Sequence, residues 1–143
     1  METLYTSISE EDTSEIAANF AQTISAPALI CLYGTLGAGK SVFARSFIRA
    51  LCEDNSLEVP SPTFTLVQSY EADSCPLYHY DLYRIKQAQE IYELGWEDAL
   101  DDAITLVEWP ERLDNLKPPS AIDIHINIAK DEAQTRTIKI IEG

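Results

Sequence analysis

The chain has 143 residues, of which 45% are hydrophobic, and it carries 24 acidic against 10 basic residues. This length and hydrophobic content are typical of one domain with its own core, so we predict a single domain over residues 1–143. The formal net charge of -14 disfavours direct binding to nucleic acid or to an anionic membrane, so any anionic ligand must be captured at a local site.

The N-terminal segment lacks the basic and apolar regions of a signal peptide, and no apolar run approaches the roughly 18 to 20 residues that span a bilayer. Cys31, Cys52 and Cys75 are odd in number and widely spaced, which is typical of reduced, buried thiols. His79 and His125 have no metal-ligand companion in the strand pattern, so we interpret them as structural. The sequence therefore predicts a soluble, cytoplasmic protein.

The first half of the chain contains a helix, a strand and a second helix. A capping pattern at Ser9 and Asp12, with apolar residues every four positions after it, predicts a helix from about residue 10 to about residue 25. The apolar run 28–33, "ALICLY", predicts a strand that is covered on both faces. After a glycine-rich stretch, the apolar stripe of residues 43–51 predicts the second helix.

The second half of the chain is predicted to be mainly strands. Apolar or alternating segments predict these strands at residues 63–70, 77–82, 103–109, 121–128 and 135–141. The first two are joined by a short polar turn and should pair antiparallel. A short helix is predicted over residues 87–94, with Gly95 as its C-terminal cap.

The glycine-rich stretch "GTLGAGKS", from Gly34 to Ser41, matches the pattern G-x-x-x-x-G-K-[ST] of a phosphate-binding P-loop. Its glycines let successive backbone N–H groups point at phosphate oxygens, and the following helix adds its positive dipole end. Lys40 would reach the β and γ phosphates, and the Ser41 hydroxyl would bind Mg²⁺. The alternative is a glycine turn beside a solvated lysine, but the position between a buried strand and an amphipathic helix favours the P-loop.

Two acids at strand ends complete the predicted site. A P-loop needs a second acid at the end of a neighbouring strand to hold the magnesium shell, and Glu108 in "ITLVEW" fits that role. Asp81 in "YHYDLYR" could bind the metal indirectly or orient a water. The alternatives are an ordinary strand-end acid for Glu108 and a structural pair with Arg84 for Asp81.

Four further residues near these strands are open to more than one interpretation. Thr63 and Thr65 either lend a hydroxyl to the γ-phosphate or the metal, or are ordinary strand residues. Trp109 either reports nucleotide state, meets a partner protein, or belongs to the core. Trp96 is predicted to be a core residue.

The segments "LYGTLGAGKS", "SPTFTLVQSY", "YHYDLYR", "ELGWED" and "LVEWPER" stand in the order and rough spacing of the TsaE (YjeE) family, between about residues 28 and 112. The chain resembles that family, and "SPTFTL", "DLYR" and "VEWP" together are specific for it. The resemblance implies an α/β fold: a P-loop NTPase-like single domain with a central mixed, parallel and antiparallel sheet flanked by helices. It also implies a small ATPase that uses ATP and Mg²⁺ and acts with the TsaD and TsaB proteins in N6-threonylcarbamoyladenosine synthesis on tRNA.

The resemblance also implies which residues form the site. The candidates for binding the nucleotide phosphates are Gly34, Gly37, Ala38, Gly39, Lys40, Ser41 and Val42. Ser41 and Glu108 would hold Mg²⁺, and the catalytic candidates are Lys40, Asp81 and Glu108. The adenine would lie between the start of the first helix, near Glu10, and the residues after "VEWP", Glu111 and Arg112.

One position departs from the family pattern. The family usually has an acid directly after the first P-loop glycine, whereas this chain has Thr35. This departure keeps open a nucleotide-gated binding module with little hydrolysis. A small P-loop kinase is a second alternative, because the same loop can pass phosphate to an acceptor hydroxyl. Against the kinase stands the absence of an Arg-rich lid segment in the sequence.

Overall fold

A computed structural model of the chain describes residues 1–35, 37–73 and 75–142. Within these residues the strands are β1 (Glu2–Ser7), β2 (Ala28–Tyr33), β3 (Val67–Glu71), β4 (Pro76–Asp81), β5 (Ile104–Glu108), β6 (Ile122–Ile128) and β7 (Arg136–Ile141). The helices are α1 (Glu10–Ala21), α2 (Lys40–Cys52) and α3 (Trp96–Asp102), with 3₁₀ segments at Ala88–Leu94 and Pro110–Leu116.

All of these strands join one sheet in the order β1-β7-β6-β2-β5-β4-β3. Strand β2 pairs parallel with β5 and β6, and β5 pairs parallel with β4. The pairs β1–β7, β6–β7 and β3–β4 are antiparallel. The mixed α/β sheet predicted from the sequence is confirmed, as is the antiparallel pairing of β3 with β4.

Helices cover both faces of the centre of the sheet. Helices α1 and α2 pack on one face, where the rings of Phe20 and Phe47 have centroids 5.8 Å apart. The 3₁₀ segments and α3 pack on the other face, where Trp96 is buried and meets the ring of Tyr80 edge-on. The predicted core position of Trp96 is confirmed.

Helix α1 starts where the sequence predicts and ends earlier. The Ser9 hydroxyl caps it by accepting a hydrogen bond from the Asp12 N–H at 3.1 Å. The prediction that this helix continues to about residue 25 is wrong, because it ends at Ala21. There the Thr23 N–H and hydroxyl both bond back to the Phe20 carbonyl, which closes the last turn.

Two other boundaries differ from the sequence prediction. The predicted strand 63–70 begins only at Val67, because the Leu66 N–H bonds to the Pro62 carbonyl and Leu66 has a φ of 73°. Strand β1 and helix α3 were not predicted at all. No helix in the described part of the chain is both long and apolar enough to cross a bilayer.

Candidate functional site

The candidate site lies at one edge of the sheet, where the parallel strands β2, β4 and β5 end. Asp81, the last residue of β4, is in register with Glu108, the last residue of β5. Glu108 is in turn in register with Leu32 of β2, and the glycine loop begins two residues later at Gly34. Ligands of open α/β sheets bind outside the carboxyl ends of such strands. The fold therefore brings the three predicted segments to one place.

The glycine loop follows β2 and leads into α2. Gly37 and Gly39 have φ values of 82° and 108°, a backbone region that residues with a Cβ rarely adopt. Gly34 is required for a different reason, because a Cβ there would lie 2.8 Å from the carbonyl oxygen of Ile126 on β6. Leu36, which stands inside the loop, lies outside the described residues.

Lys40, the first residue of α2, is only 6% exposed. Burial lowers the pKa of its ammonium group, while the negative charges of Glu108, Glu111 and Asp81 act in the opposite direction. Its Nζ lies 3.9 Å from the centroid of the Trp109 ring, and no carboxylate of the described residues forms a salt bridge with it. A desolvated ammonium without a close counter-charge favours the binding of an anion.

A cavity of about 210 Å³ lies in front of Lys40. Its walls are formed by Gly37, Lys40, Ser41, Ser61, Thr63, Asp81, Tyr83, Glu108 and Trp109. The structure thus brings together all three catalytic candidates and both candidate magnesium ligands. Hydroxyl and carboxylate oxygens are ligands that Mg²⁺ prefers, and this ion is usually held by one or two protein groups together with substrate phosphates. The residues present fit a magnesium–nucleotide complex.

Asp81 is held by two hydrogen bonds at the cavity wall. Its Oδ2 accepts from the Thr63 hydroxyl at 3.1 Å and its Oδ1 from the Tyr83 N–H at 3.0 Å. Arg84, the alternative partner in the sequence analysis, lies instead with its guanidinium 5.1 Å from the Phe64 ring centroid. Within the described residues Asp81 forms no salt bridge, so the structural pair with Arg84 is not observed.

The two threonines of "SPTFT" have different positions. Thr63 lies in the turn before β3, lines the cavity and contacts Asp81, so its interpretation as a strand residue is wrong. Thr65 accepts a hydrogen bond from the side chain of Gln68 and is also outside the strand. Of the two, only Thr63 is placed at the candidate site.

His79, which the sequence pattern indicates to be a structural residue without a metal-ligand companion, bonds to a residue of the candidate site. Its Nε2 lies 2.7 Å from Glu108 Oε2, and both side chains are buried. Because a carboxylate oxygen only accepts, the imidazole donates this hydrogen bond. The available signal was the spacing: His79 and Asp81 are two residues apart on β4 and therefore share a face. His125, by contrast, stacks on Tyr33 with ring centroids 4.5 Å apart, as expected of a structural residue.

Trp109 follows Glu108 and turns the chain sharply, with a φ of 59°. Its ring covers the Lys40 ammonium and contacts Tyr83 at a centroid distance of 4.8 Å. The side chain is half-buried and forms part of the cavity wall. Trp109 is therefore placed at the site as well as against the core.

The residues expected around the adenine are not brought together. Glu10 lines a cavity of about 110 Å³ on the other side of the glycine loop, together with Gly39, Val42, Gln134 and Arg136. Glu111 and Arg112 line a separate groove against residues 85–89. The adenine contacts stay a prediction, and the structure places Glu10, but not Glu111 or Arg112, in a cavity that includes the loop.

Comparison with known proteins adds family information to this geometry. Residues 7–138 match the model of the family described as "Threonylcarbamoyl adenosine biosynthesis protein TsaE". A TsaE protein of Rickettsia typhi, described as a tRNA threonylcarbamoyladenosine biosynthesis protein, is 40% identical over 136 residues, or 95% of this chain and 94% of that protein. The Aquifex aeolicus protein of the same description is 43% identical over 104 residues, covering 73% of this chain and 74% of its own.

A solved structure agrees with the fold. The crystal structure of "Bacillus subtilus YdiB" superposes with a TM-score of 0.77, covers 99% of this chain and 86% of its own, and is 26% identical. The similarity extends over nearly the whole chain.

Proposed function

This chain belongs to the TsaE family of threonylcarbamoyl adenosine biosynthesis proteins, and from that premise we propose that it binds and hydrolyses ATP with Mg²⁺. It acts in the cytoplasm as an accessory protein of tRNA N6-threonylcarbamoyladenosine synthesis, together with TsaD and TsaB. The observation that carries the proposal is the buried Lys40 ammonium, which faces a cavity shared with Ser41, Asp81 and Glu108.

The glycine loop and Lys40 bind the phosphates. The backbone N–H groups at the start of α2 and the dipole of that helix supply partial positive charge, and Lys40 supplies a full one. The chain has a net charge of -14, so most of its surface repels phosphate, and the loop with Lys40 attracts it locally. The phosphate end of ATP is therefore held while most of the surface stays unsuited to anions.

Ser41 and Glu108 would hold a magnesium ion, which would supply positive charge to the phosphates. Glu108 accepts the His79 hydrogen bond at Oε2, and Oε1, which has no hydrogen bond to another described residue, would bind the ion. Asp81 is fixed by Thr63 and Tyr83 with lone pairs to spare, and it orients the attacking water. These three residues stand on different strands or on α2, so the sheet and helix fix their relative positions.

ATP hydrolysis also requires a cation over the γ-phosphate, and the described residues do not provide one in addition to Lys40. Among the described residues, Lys40 is the only lysine or arginine that lines the cavity. The Arg49 side chain bonds to the Leu57 carbonyl and Arg84 lies on Phe64, so neither is directed at the phosphates. We therefore assign the missing cation to a partner protein, TsaD or TsaB, and contact with tRNA occurs only through that complex.

Thr35 supports a second candidate function. It is exposed and stands where the family usually has an acid, so the cavity lacks that carboxylate. A nucleotide-gated module would bind ATP and the partner proteins with little hydrolysis, since binding requires only the loop and Lys40.

The test is ATP turnover by the purified chain, alone and with TsaB and TsaD, alongside modification of tRNA. Phosphate release that depends on the partners supports the proposal. ATP binding and tRNA modification without phosphate release would favour the gated module. Transfer of phosphate to a nucleoside would favour the kinase.

A further inference from the structure

Arg136, the first residue of β7, contacts the glycine loop although it is 98 residues away from Ala38 in the sequence. Its Nε donates to the Ala38 carbonyl oxygen at 2.9 Å, and its Nη2 donates to the Gly37 carbonyl oxygen at 3.3 Å. Its Nη1 donates to the carbonyl oxygen of Ala133 in the β6–β7 turn. One guanidinium group thus links the terminal hairpin to two successive peptide groups of the loop.

These bonds fix the direction of a backbone N–H group. In a trans peptide the carbonyl and the N–H point in opposite directions, so holding the Ala38 carbonyl on Arg136 turns the Gly39 N–H away from Arg136. Gly39 has a φ of 108° and Gly37 one of 82°, and glycines rotate easily between conformations unless they are held. The neighbouring Ala38 N–H is already used inside the loop, where it bonds to the Thr35 carbonyl at 3.1 Å.

The guanidinium also places a positive charge directly behind the loop. It is half-buried, and no carboxylate of the described residues forms a salt bridge with it. Its hydrogen bonds polarise the two carbonyls, which strengthens the partial positive charge on the N–H groups of the same peptides. Lys40 places its positive charge in the cavity, whereas Arg136 places its own on the opposite side of the loop.

We propose that Arg136 is a positioning residue of the phosphate site, which holds the loop so that the Gly39 N–H faces the nucleotide phosphates. This inference rests on the proposed ATP binding and deepens it. It also gives the terminal hairpin a role, because a displacement of β7 would change the geometry of the loop.

The experiment compares Arg136→Met with Lys139→Met. Lys139 is on the same strand, its ammonium lies 3.5 Å from Glu2, and the substitution removes the same charge without touching the loop. For each protein we would measure the affinity for ATP with Mg²⁺, the affinity for tripolyphosphate, the melting temperature without nucleotide, and the ¹⁵N–¹H shift of Gly39.

For Arg136→Met the expected result is a loss of at least about tenfold in affinity for ATP and for tripolyphosphate, with a shifted Gly39 resonance. Lys139→Met should stay within about twofold of the unchanged protein, because salt-bridge loss at an exposed site has little effect. If Arg136→Met does not fold, Arg136→Lys should fold and still lose affinity, since one ammonium cannot reproduce the forked contact.

Equal affinities in Arg136→Met and Lys139→Met, or an unchanged affinity in the Arg136→Lys variant, would overturn the inference and leave the proposed function intact. If the protein without substitutions binds neither ATP nor tripolyphosphate, that result would instead overturn the proposed function, and the role of Arg136 with it.

Discussion

The imidazole of His79 and the carboxylate of Glu108 form a buried hydrogen bond, with His79 Nε2 and Glu108 Oε2 2.7 Å apart. The other ring nitrogen, Nδ1, is buried without a partner among the described residues. The hydrogen bond from His79 holds the carboxylate of Glu108 in one orientation, at the position where the metal is proposed to bind.

We predict that His79→Leu weakens the magnesium-dependent part of ATP binding by about 10- to 100-fold, the usual effect of removing a residue that orients a metal ligand. ATP affinity without Mg²⁺ should change little, and His79→Gln should recover part of the loss by donating a hydrogen bond. Calorimetry with and without Mg²⁺ measures this. His125→Leu is the matched control, and equal behaviour of the two leucine variants would contradict the prediction.

For Glu108→Gln we predict that the fold is kept and that magnesium-dependent hydrolysis is lost. The amide keeps the shape of the side chain and can still accept the His79 hydrogen bond, but it removes the charge that holds the metal. Nucleotide binding should survive better than turnover. Hydrolysis at the parent rate in the active complex would show that Glu108 is an ordinary strand-end acid.

Lys40→Ala should lower ATP affinity at least about tenfold, because charge-assisted hydrogen bonds contribute about 1.5 to 3 kcal/mol each and no other cationic side chain of the described residues lines the cavity. Lys130→Ala removes the same charge at an exposed position after the end of β6 and serves as the control. Titration calorimetry that gives the same affinity for both variants would exclude the loop as the phosphate site.

Gly34→Ala should weaken nucleotide binding and destabilise the fold by about 1 to 3 kcal/mol, the usual cost of overpacking. The new Cβ would meet the backbone carbonyl of Ile126 at 2.8 Å, and a backbone atom in a central sheet cannot move aside easily. Urea unfolding and nucleotide titration measure the two effects. Thr35→Ala, at the next and exposed position, should change neither, and a Gly34→Ala protein as stable as Thr35→Ala would refute the packing argument.

Parts of the site that depend on local chemistry could be predicted from the sequence. The loop from Gly34 to Ser41 is a continuous pattern between a buried strand and a helix. Glu108 and Asp81 each end an apolar run, and parallel strands bring such ends to one edge. For these residues, the neighbouring sequence is enough to predict their position at the end of a strand.

Contacts between distant segments could not be predicted in this way. The His79–Glu108 bond spans 29 residues and requires the parallel pairing of β4 with β5. Strand β1 exposes Leu4 and Tyr5 to solvent, so it lacks the alternating apolar pattern, and its pairing from Glu2 to Ile141 joins the two ends of the chain. Arg136 could not be found from the P-loop pattern, because it bonds to the backbone carbonyls of Gly37 and Ala38, and any residue type supplies a backbone carbonyl.

The last prediction concerns dependence on partners. Hydrolysis needs a positive group over the γ-phosphate and surroundings that exclude water, and an arginine supplied to such a site can raise the rate about 10³- to 10⁵-fold. In the described residues the cavity offers Lys40 alone, so the isolated chain should hydrolyse ATP slowly. Addition of TsaB and TsaD should stimulate turnover strongly.

We expect the partner proteins to contact the surface beside the cavity. Phe64 is 81% exposed and follows Thr63, which bonds to Asp81, while Tyr83 is 47% exposed and itself lines the cavity. Phe64→Ser should therefore reduce stimulation by the partners and leave the slow basal rate unchanged. Tyr92→Ser, at a 46% exposed aromatic in the 3₁₀ segment Ala88–Leu94, should reduce neither. Because the chain carries a net charge of -14, its attraction to a basic partner surface should also weaken as salt is raised. Equal turnover with and without the partners, at low salt and saturating ATP, would mean that the site is complete in this chain alone and that no cation from a partner is needed.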